Sequence, residues 1–443
     1  MALISGLLQV LPFPVAGPMP LWRASFCWIA LFPLLWALLS EGSNGDPVTA
    51  RQGAALGYSC GFLWYLGNCY WIYQTMYLYG GLAKPVAMGI LVLFCLYLGL
   101  YHLLFGTVIA ALRLRFGRQA ALVLAPFAWV AVELARSRIT GLPWDLLGIS
   151  QVDNPLLTRL APVTGVYGLS FVIAAVNALW LIRIRVRARR YTRPALTLIG
   201  VILVVLYVVV LGHIGRPDET PTTAHATLIQ ENLEVGAANT GPQPSTQQLI
   251  ESFSYLSRYP SAQFLLGIPE LAGTQQVFLI RQHPAANGVD PGAPLPSQTD
   301  LIVWPESPAP FEENDQQFRM AMSTLATEAK APIIVGNIGI DRDSKAPRGY
   351  ALFNSASFIT PQGKFESRYD KMHLVPFGEY VPFKELFFFA KNLLNEVGTF
   401  DAGRNRSIFT ANGHTYGAFI CYESIFGDEV RQFTKQGAEV LVN

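Results

Sequence analysis

Thr415-Tyr416-Gly417-Ala418-Phe419-Ile420-Cys421-Tyr422-Glu423-Ser424 runs as an apolar β-type stretch that stops at a thiol, with a carboxylate two residues on. Similar short runs recur through the second half of the chain. They predict strands at Ala226–Gln230, Asp300–Trp304, Pro332–Asn337, Leu352–Ile359, Thr415–Cys421 and Glu439–Val442. Helical spacing predicts helices over Ser245–Tyr259 and Asp315–Lys330. Strands alternating with helices argue for an α/β domain over residues 224–443. Residues 282–298, rich in Pro and Gly, read as a surface loop. The last residues, Glu439 to Asn443, fall in the middle of a predicted strand, so further C-terminal sequence is expected.

Two more segments of this half carry reactive groups. Trp304-Pro305-Glu306-Ser307 places a carboxylate just past a predicted buried strand. Tyr369-Asp370-Lys371-Met372-His373-Leu374-Val375-Pro376-Phe377-Gly378-Glu379-Tyr380-Val381-Pro382 reads as a polar loop, too rich in Pro and Gly for a helix or central strand. A thiol needs a base to become a strong nucleophile, and a nearby cation stabilises both thiolate and oxyanion. Glutamate, lysine and cysteine supply those roles. Each has a plainer explanation alone: a packed thiol, a helix-capping carboxylate, a solvated lysine. His373 reads as a hydrogen-bonded loop residue.

The first half is different in kind. Only 14% of the 443 residues are charged, against about a quarter in ordinary soluble domains, and the mean hydropathy is +0.33. The net charge of +2 divides unevenly. Residues 1–213 hold 15 Lys/Arg against 5 Asp/Glu, and the remainder hold 17 against 25. Opposite signs and different hydropathy imply two domains in two environments, with 214–223 as linker. The acidic half has no basic patch suited to nucleic acid. Cys27, Cys60, Cys69 and Cys95 lie in apolar stretches and read as buried thiols, which leaves Cys421 without a disulfide partner in its own half. No Cys/His spacing suits zinc.

Predicted membrane spans are Trp22–Ser40, Gln52–Met76, Pro85–Leu112, Gln119–Ala135, Leu160–Ile182 and Pro194–His213, with Ala2–Phe13 as a first, clipped one. Arg113, Arg115 and Arg118 sit in one interspan loop, and Arg183, Arg185, Arg187, Arg189, Arg190 and Arg193 crowd another. The positive-inside rule puts both loops in the cytoplasm and everything after His213 outside it. The loop over 136–159, carrying Arg136, Arg138 and Arg159, then falls opposite. The aromatic run from Trp64 to Tyr79 reads as an interfacial belt, and Glu133 as an interfacial carboxylate near Arg136 or an intramembrane acid.

WPES, the DKMHLVPFGEYVP segment and CYE together resemble the nitrilase, or carbon–nitrogen hydrolase, superfamily, over residues 224–443. The whole chain is similar to the apolipoprotein N-acyltransferases, which join such a domain to membrane helices. Glu133…Arg136…Thr140-Gly141-Leu142-Pro143-Trp144 ahead of Gly148-Ile149-Ser150-Gln151 adds to that likeness. The resemblance implies a multi-pass α-helical membrane domain plus an αββα sandwich, in a bacterial inner membrane with the catalytic domain periplasmic. It implies Glu306 as general base and later acid, Lys371 as oxyanion stabiliser and Cys421 as nucleophile. Glu379 corresponds to an additional active-site glutamate, Tyr422 and Glu423 flank the nucleophile, and the Tyr422 backbone N–H is a second oxyanion donor. Implied partners are a phospholipid acyl donor, typically phosphatidylethanolamine, a diacylglyceryl apolipoprotein acceptor and the bilayer, with no metal or organic cofactor. The chain departs from the family in lacking a Trp after its first domain strand and in a long segment between Gln230 and Trp304. The family's Asn-Asp-x-Trp-Phe-Gly segment and last span would lie beyond Asn443.

Two other functions compete. A membrane-tethered amidase would pass the thioester to water, and an inert nitrilase-like scaffold would serve a membrane glycosyltransferase. The intact Glu306, Lys371 and Cys421 weigh against the scaffold, and the membrane half favours transfer. Leu386-Phe387-Phe388-Phe389-Ala390 reads either as a segment dipping into the outer leaflet or as buried core.

Overall fold

A computed structural model describes residues 1–14, 21–42, 45–79, 81–185, 224–229, 244–258, 263–265, 278–280, 299–306, 311–343, 349–376, 378–380 and 400–443. The predicted span at 194–213, the linker at 214–223, the loop at 282–298 and the apolar run at 386–390 lie outside the described residues. The chain separates into two compact units, Met1–Tyr77 with Leu82–Glu219, and Leu78–Gly81 with Thr220–Asn443.

The first unit is helical: α1 (Ala2–Val10), α2 (Leu21–Ala24), α3 (Cys27–Ala30), α4 (Phe32–Leu38), α5 (Ala50–Asn68), α6 (Tyr70–Gln74), α7 (Lys84–Ala135) and α8 (Ala161–Arg185). Two helical stretches, Lys84–Thr140 and Thr158–Ile184, are long and apolar enough to cross a membrane. α7 covers two predicted spans. They meet at Gly117, whose φ of +84° breaks the helix between Arg115 and Arg118. The span predicted over Trp22–Ser40 is instead three short helices. Asn177 of α8 accepts the N–H groups of Leu31 and Phe32 at 3.0 Å each and donates to Cys27 O at 2.9 Å, replacing the helical partners lost at the break. α5 starts on a capping box, Thr49 with Gln52. It packs against α7 so closely that a Cβ on Gly57 would strike the His102 carbonyl, the kind of approach only small residues allow.

The aromatic reading needs correction at its start. Trp64 and Tyr65 are buried, and the guanidinium of Arg136 lies 5.5 Å from each ring centroid. Glu133 is likewise interior rather than interfacial, 4% exposed, and its Oε1 accepts from Trp129 Nε1 at 2.9 Å and Leu147 N at 2.7 Å. Of the two readings of Glu133, the buried position favours the interior acid, while Trp64 and Tyr65 leave the expected belt because they pack around Arg136.

The second unit holds a five-stranded sheet in the order β1-β4-β5-β6-β7: β1 (Ala226–Leu228), β4 (Leu301–Val303), β5 (Ile333–Arg342), β6 (Tyr350–Ile359) and β7 (Phe365–Asp370). β1, β4 and β5 are parallel; β5, β6 and β7 are antiparallel. A three-stranded sheet has β9 (His414–Ala418) between β10 (Val440–Val442) and β8 (Ile408–Ala411). A separate hairpin pairs β2 (Gln263–Leu265) with β3 (Phe278–Ile280). The helices are α9 (Thr246–Arg258), α10 (Gln316–Ala329), capped by Asp315, and α11 (Gly427–Lys435).

Period-two alternation sorts the larger sheet between two cores. Ile302, Ile333, Val335 and Ile359 face α9 and α10 through Phe253, Phe318 and Leu325. Leu301, Val303, Ile334, Ala356 and Phe358 face the smaller sheet through Phe409, Tyr416 and Ala418. Phe358 and Phe409 stack across the two sheets at 4.9 Å, a contact worth about 0.5–1.5 kcal/mol beyond area burial. β7, β8 and α11 had no sequence expectation. Tyr369 and Asp370, read as loop, close β7, because Arg368 and Asp370 present charges outward while Tyr369 points into the core.

Candidate active site

Each of the three reactive segments leaves the end of a strand. β4 delivers Trp304, whose N–H bonds Ile334 O at 2.9 Å while its indole stacks on Phe253 and donates to Ser257 Oγ at 2.8 Å. Pro305 then turns the chain and Glu306 projects from a segment backed by β5. The fit is tight: a Cβ on Gly336 would collide with the Pro305 carbonyl and stand 2.8 Å from Glu306 Cα. β7 delivers Lys371, its N–H bonded to Asn354 O and its carbonyl to Gly403 N–H. The third segment differs from expectation. β9 stops at Ala418, and Cys421 opens a 3-10 turn over Cys421–Ile425. Its φ is +51°, left-handed for a non-glycine residue, and the side chain is exposed.

The functional groups converge. Lys371 is 1% exposed, and its Nζ donates to Glu379 Oε1 at 2.9 Å and Glu306 Oε1 at 3.4 Å. Burial opposes its charge, but Glu306 and Glu379 outweigh it and hold the lysine above its ordinary range, so it stays an ammonium. Asn354 Nδ2 donates to the same two carboxylate oxygens, 2.7 Å to Glu306 and 2.6 Å to Glu379. Glu379 Oε2 accepts Val375 N–H at 2.8 Å. The Cys421 thiol lies close enough to Glu306 and Lys371 to feel both charges. Its pKa is raised by burial first, then by the Glu306 charge, with Lys371 opposing. The resting sulfur therefore keeps its proton.

Glu423 is buried beside this group. Burial alone would raise its pKa, but donors from His373, Ile420 and Tyr369 lower it below the ordinary carboxylate range. Tyr422 stacks edge-on against Phe426 at 5.3 Å, and burial and nearby Tyr380 push its hydroxyl up to about 12. All six residues named from sequence lie in this region. Asn354 and Tyr369 were not named. Asn354 had a signal, a polar residue inside the apolar run Leu352–Ile359; Tyr369 had none, since it read as the first residue of a polar loop. Among the described residues no cluster of His, Cys, Asp and Glu is arranged to hold a metal.

Residues 5–179 match the family description "Apolipoprotein N-acyltransferase N-terminal domain", and residues 266–443 match "Carbon-nitrogen hydrolase". An apolipoprotein N-acyltransferase of Geobacter metallireducens is 32% identical over 100% of this chain and 76% of its own length. The chain belongs to the apolipoprotein N-acyltransferase family. A second member, from Allorhizobium ampelinum, is 28% identical over 100% of this chain and 77% of its own. Among solved structures, an amidase from Nesterenkonia sp. is similar at 16% identity, with 32% of this chain and 50% of that one covered and a TM-score of 0.23. The two family matches account for both halves read from the sequence: a helical N-terminal region, and a nitrilase-like domain bearing the reactive residues.

Proposed function

We propose that the N-acylation catalysed by this membrane acyltransferase runs through a thioester on Cys421. The observation that carries this reading is the gathering of a carboxylate, a buried ammonium and a thiol that follow β4, β7 and β9. Glu306 accepts the Cys421 proton as the sulfur attacks an ester carbonyl of a phospholipid. The Lys371 ammonium and the Tyr422 N–H face the oxygen that gains charge. The C–O bond breaks, the lysophospholipid alkoxide takes the proton back from Glu306, and an S-acyl enzyme remains. The α-amine of the diacylglyceryl cysteine of an apolipoprotein then attacks the thioester. Glu306 takes the amine proton, the C–S bond breaks, and the thiol re-forms as the amide leaves. Glu379 and Asn354 hold Lys371 and Glu306 in place through both steps.

The acyl donor is phosphatidylethanolamine, and the helical unit is a multi-pass bundle in the bilayer that holds both lipid substrates, with residues 224–443 periplasmic. The exposed apolar side chains of α7, among them Leu93, Val123 and Phe127, support its contact with lipid. The domain limits are 1–213, 214–223 and 224–443. Incubation of the purified protein with phospholipid, followed by intact-mass analysis, tests the proposal. An acyl adduct that maps to Cys421 and disappears on adding a diacylglyceryl lipopeptide is the expected result. Acylated lipopeptide formed without any adduct would overturn the covalent route.

A further inference from the structure

Glu423, two residues past Cys421, is 2% exposed and heavily bonded. Its Oε1 accepts Met372 N–H at 2.8 Å and His373 N–H at 3.0 Å, and its Oε2 accepts Ile420 N–H at 2.8 Å. The Tyr369 hydroxyl lies 2.9 Å from both oxygens and donates to the carboxylate. These partners come from two segments. Tyr369, Met372 and His373 bracket Lys371, while Ile420 and Glu423 bracket Cys421. One carboxylate therefore sets the spacing between the ammonium and the sulfur.

Tyr369 differs from the other partners in what anchors it. The backbone donors belong to the same two connecting segments whose spacing is at stake. Tyr369 belongs to β7, in register with Ala356 of β6, the strand that also bears Asn354. Its ring is 1% exposed and packs edge-on against Phe433 at 5.5 Å. Burial first, and then the Glu423 charge, raise the phenol pKa, so the hydroxyl remains a donor. Phenylalanine would fill the same space and lose only that bond. The geometry points to Tyr369 as a positioning residue for thioester formation, acting through Glu423 to hold the Cys421 turn against Glu306 and Lys371. A non-glycine residue at φ +51° persists only where its surroundings over-determine it, and bonds to Glu423 on either side of Cys421 do that here.

This inference rests on the thioester reading, and the experiment separates the two. The full-length protein in phospholipid nanodiscs is followed for the rate of Cys421 adduct formation, its pH profile and the thermal midpoint. Tyr369→Phe slows adduct formation about tenfold or more, as expected for loss of a hydrogen bond to a charged group, with the KM for phospholipid unchanged. The acid limb of its profile moves to higher pH, because Glu423 has lost a donor that favours its ionised form. In a Glu423→Gln background the same substitution adds nothing further. An unshifted acid limb, a wild-type rate in Tyr369→Phe, or slowing that multiplies in the double variant would each overturn the positioning role. If Glu423→Gln does not fold, the pH profile of Tyr369→Phe alone decides. Wild type that forms no adduct removes the thioester reading and this role with it; a wild-type adduct with an unaffected Tyr369→Phe removes the role alone.

Discussion

Lys371 stands 2.9 Å from Glu379 but 3.4 Å from Glu306, so its tighter ion pair is with Glu379. The arrangement separates two duties. Glu379 fixes the buried ammonium, and Glu306, 35% exposed at its side chain, stays available to exchange a proton with Cys421.

Glu379→Gln keeps the shape and removes the charge that fixes Lys371. Loss of a buried charged partner of this kind typically costs 3–5 kcal/mol. The variant is expected to show a lower thermal midpoint and slower Cys421 acylation together, read by calorimetry and adduct mass. A fall in rate with an unchanged midpoint would contradict the anchoring role.

Glu306→Gln separates base from charge. The Glu306 carboxylate raises the Cys421 pKa, so removing it lowers that pKa and exposes more thiolate at a given pH. Alkylation of Cys421 by iodoacetamide at neutral pH should therefore quicken. Acylation by phospholipid should slow by ~10²–10⁴ because the general base is gone. Parallel loss of both reactivities would show that Glu306 only supports the fold.

Lys371→Met has the opposite effect on the thiol. The ammonium lowers the Cys421 pKa, so its loss slows alkylation, and the missing oxyanion charge costs ~10²–10³ in acylation rate. Cys421→Ala abolishes the adduct, and Cys421→Ser leaves little activity because a hydroxyl ionises far less readily. N-acylation of a lipopeptide by Cys421→Ala at near the wild-type rate would end the covalent mechanism.

The pair of Glu423 and His373 confers a pH window of stability. The His373 pKa is raised, chiefly by its hydrogen bond to Glu423, so its contribution is full below the ordinary histidine pKa of about 6.5 and fades as pH rises through the folded value. The Glu423 pKa is lowered, so its contribution is full above about 4.3 and is lost as pH falls through its folded value. The thermal midpoint of wild type relative to His373→Ala should be highest between these limits and converge above neutrality. A constant difference from pH 5 to pH 9 would contradict the pairing.

The proposed membrane orientation is checked by fusions. A reporter active only in the periplasm should work when joined after Pro217 and fail when joined within Arg185–Arg190. The reverse pattern would place the catalytic domain on the cytoplasmic side.

Much of the catalytic domain was legible because a short apolar run bounded by turn residues is a local signal. Leu301, Ile302 and Val303, and the longer runs of β5 and β6, carry it within a few residues. β7 was not legible, since Phe365–Asp370 carries Glu366, Arg368 and Asp370, and its last two residues read as part of a polar loop. Glu306, Lys371 and Cys421 were named from their motifs, and the structure brings Glu306 and Lys371 to 3.4 Å. The Asn354 bridge was not, because it joins residues 48 and 25 positions away that only the fold brings together. In the helical unit, apolar length located α7 and α8 and the interspan stretch where Gly117 breaks α7, while the break at Leu31 depends on a distant asparagine.

Gly336 makes the wall behind Glu306, the proposed base, a point of bare main chain. A wall without side chains has no rotamers to adjust, so the depth of Glu306 is set as rigidly as the spacing between two neighbouring strands. Gly336→Ala would serve as a shim: one methyl group displaces the Pro305–Glu306 peptide while every reacting group keeps its chemical identity. Graded substitutions there would measure how steeply proton transfer from Cys421 depends on distance, a quantity that changing the reacting residues themselves cannot isolate.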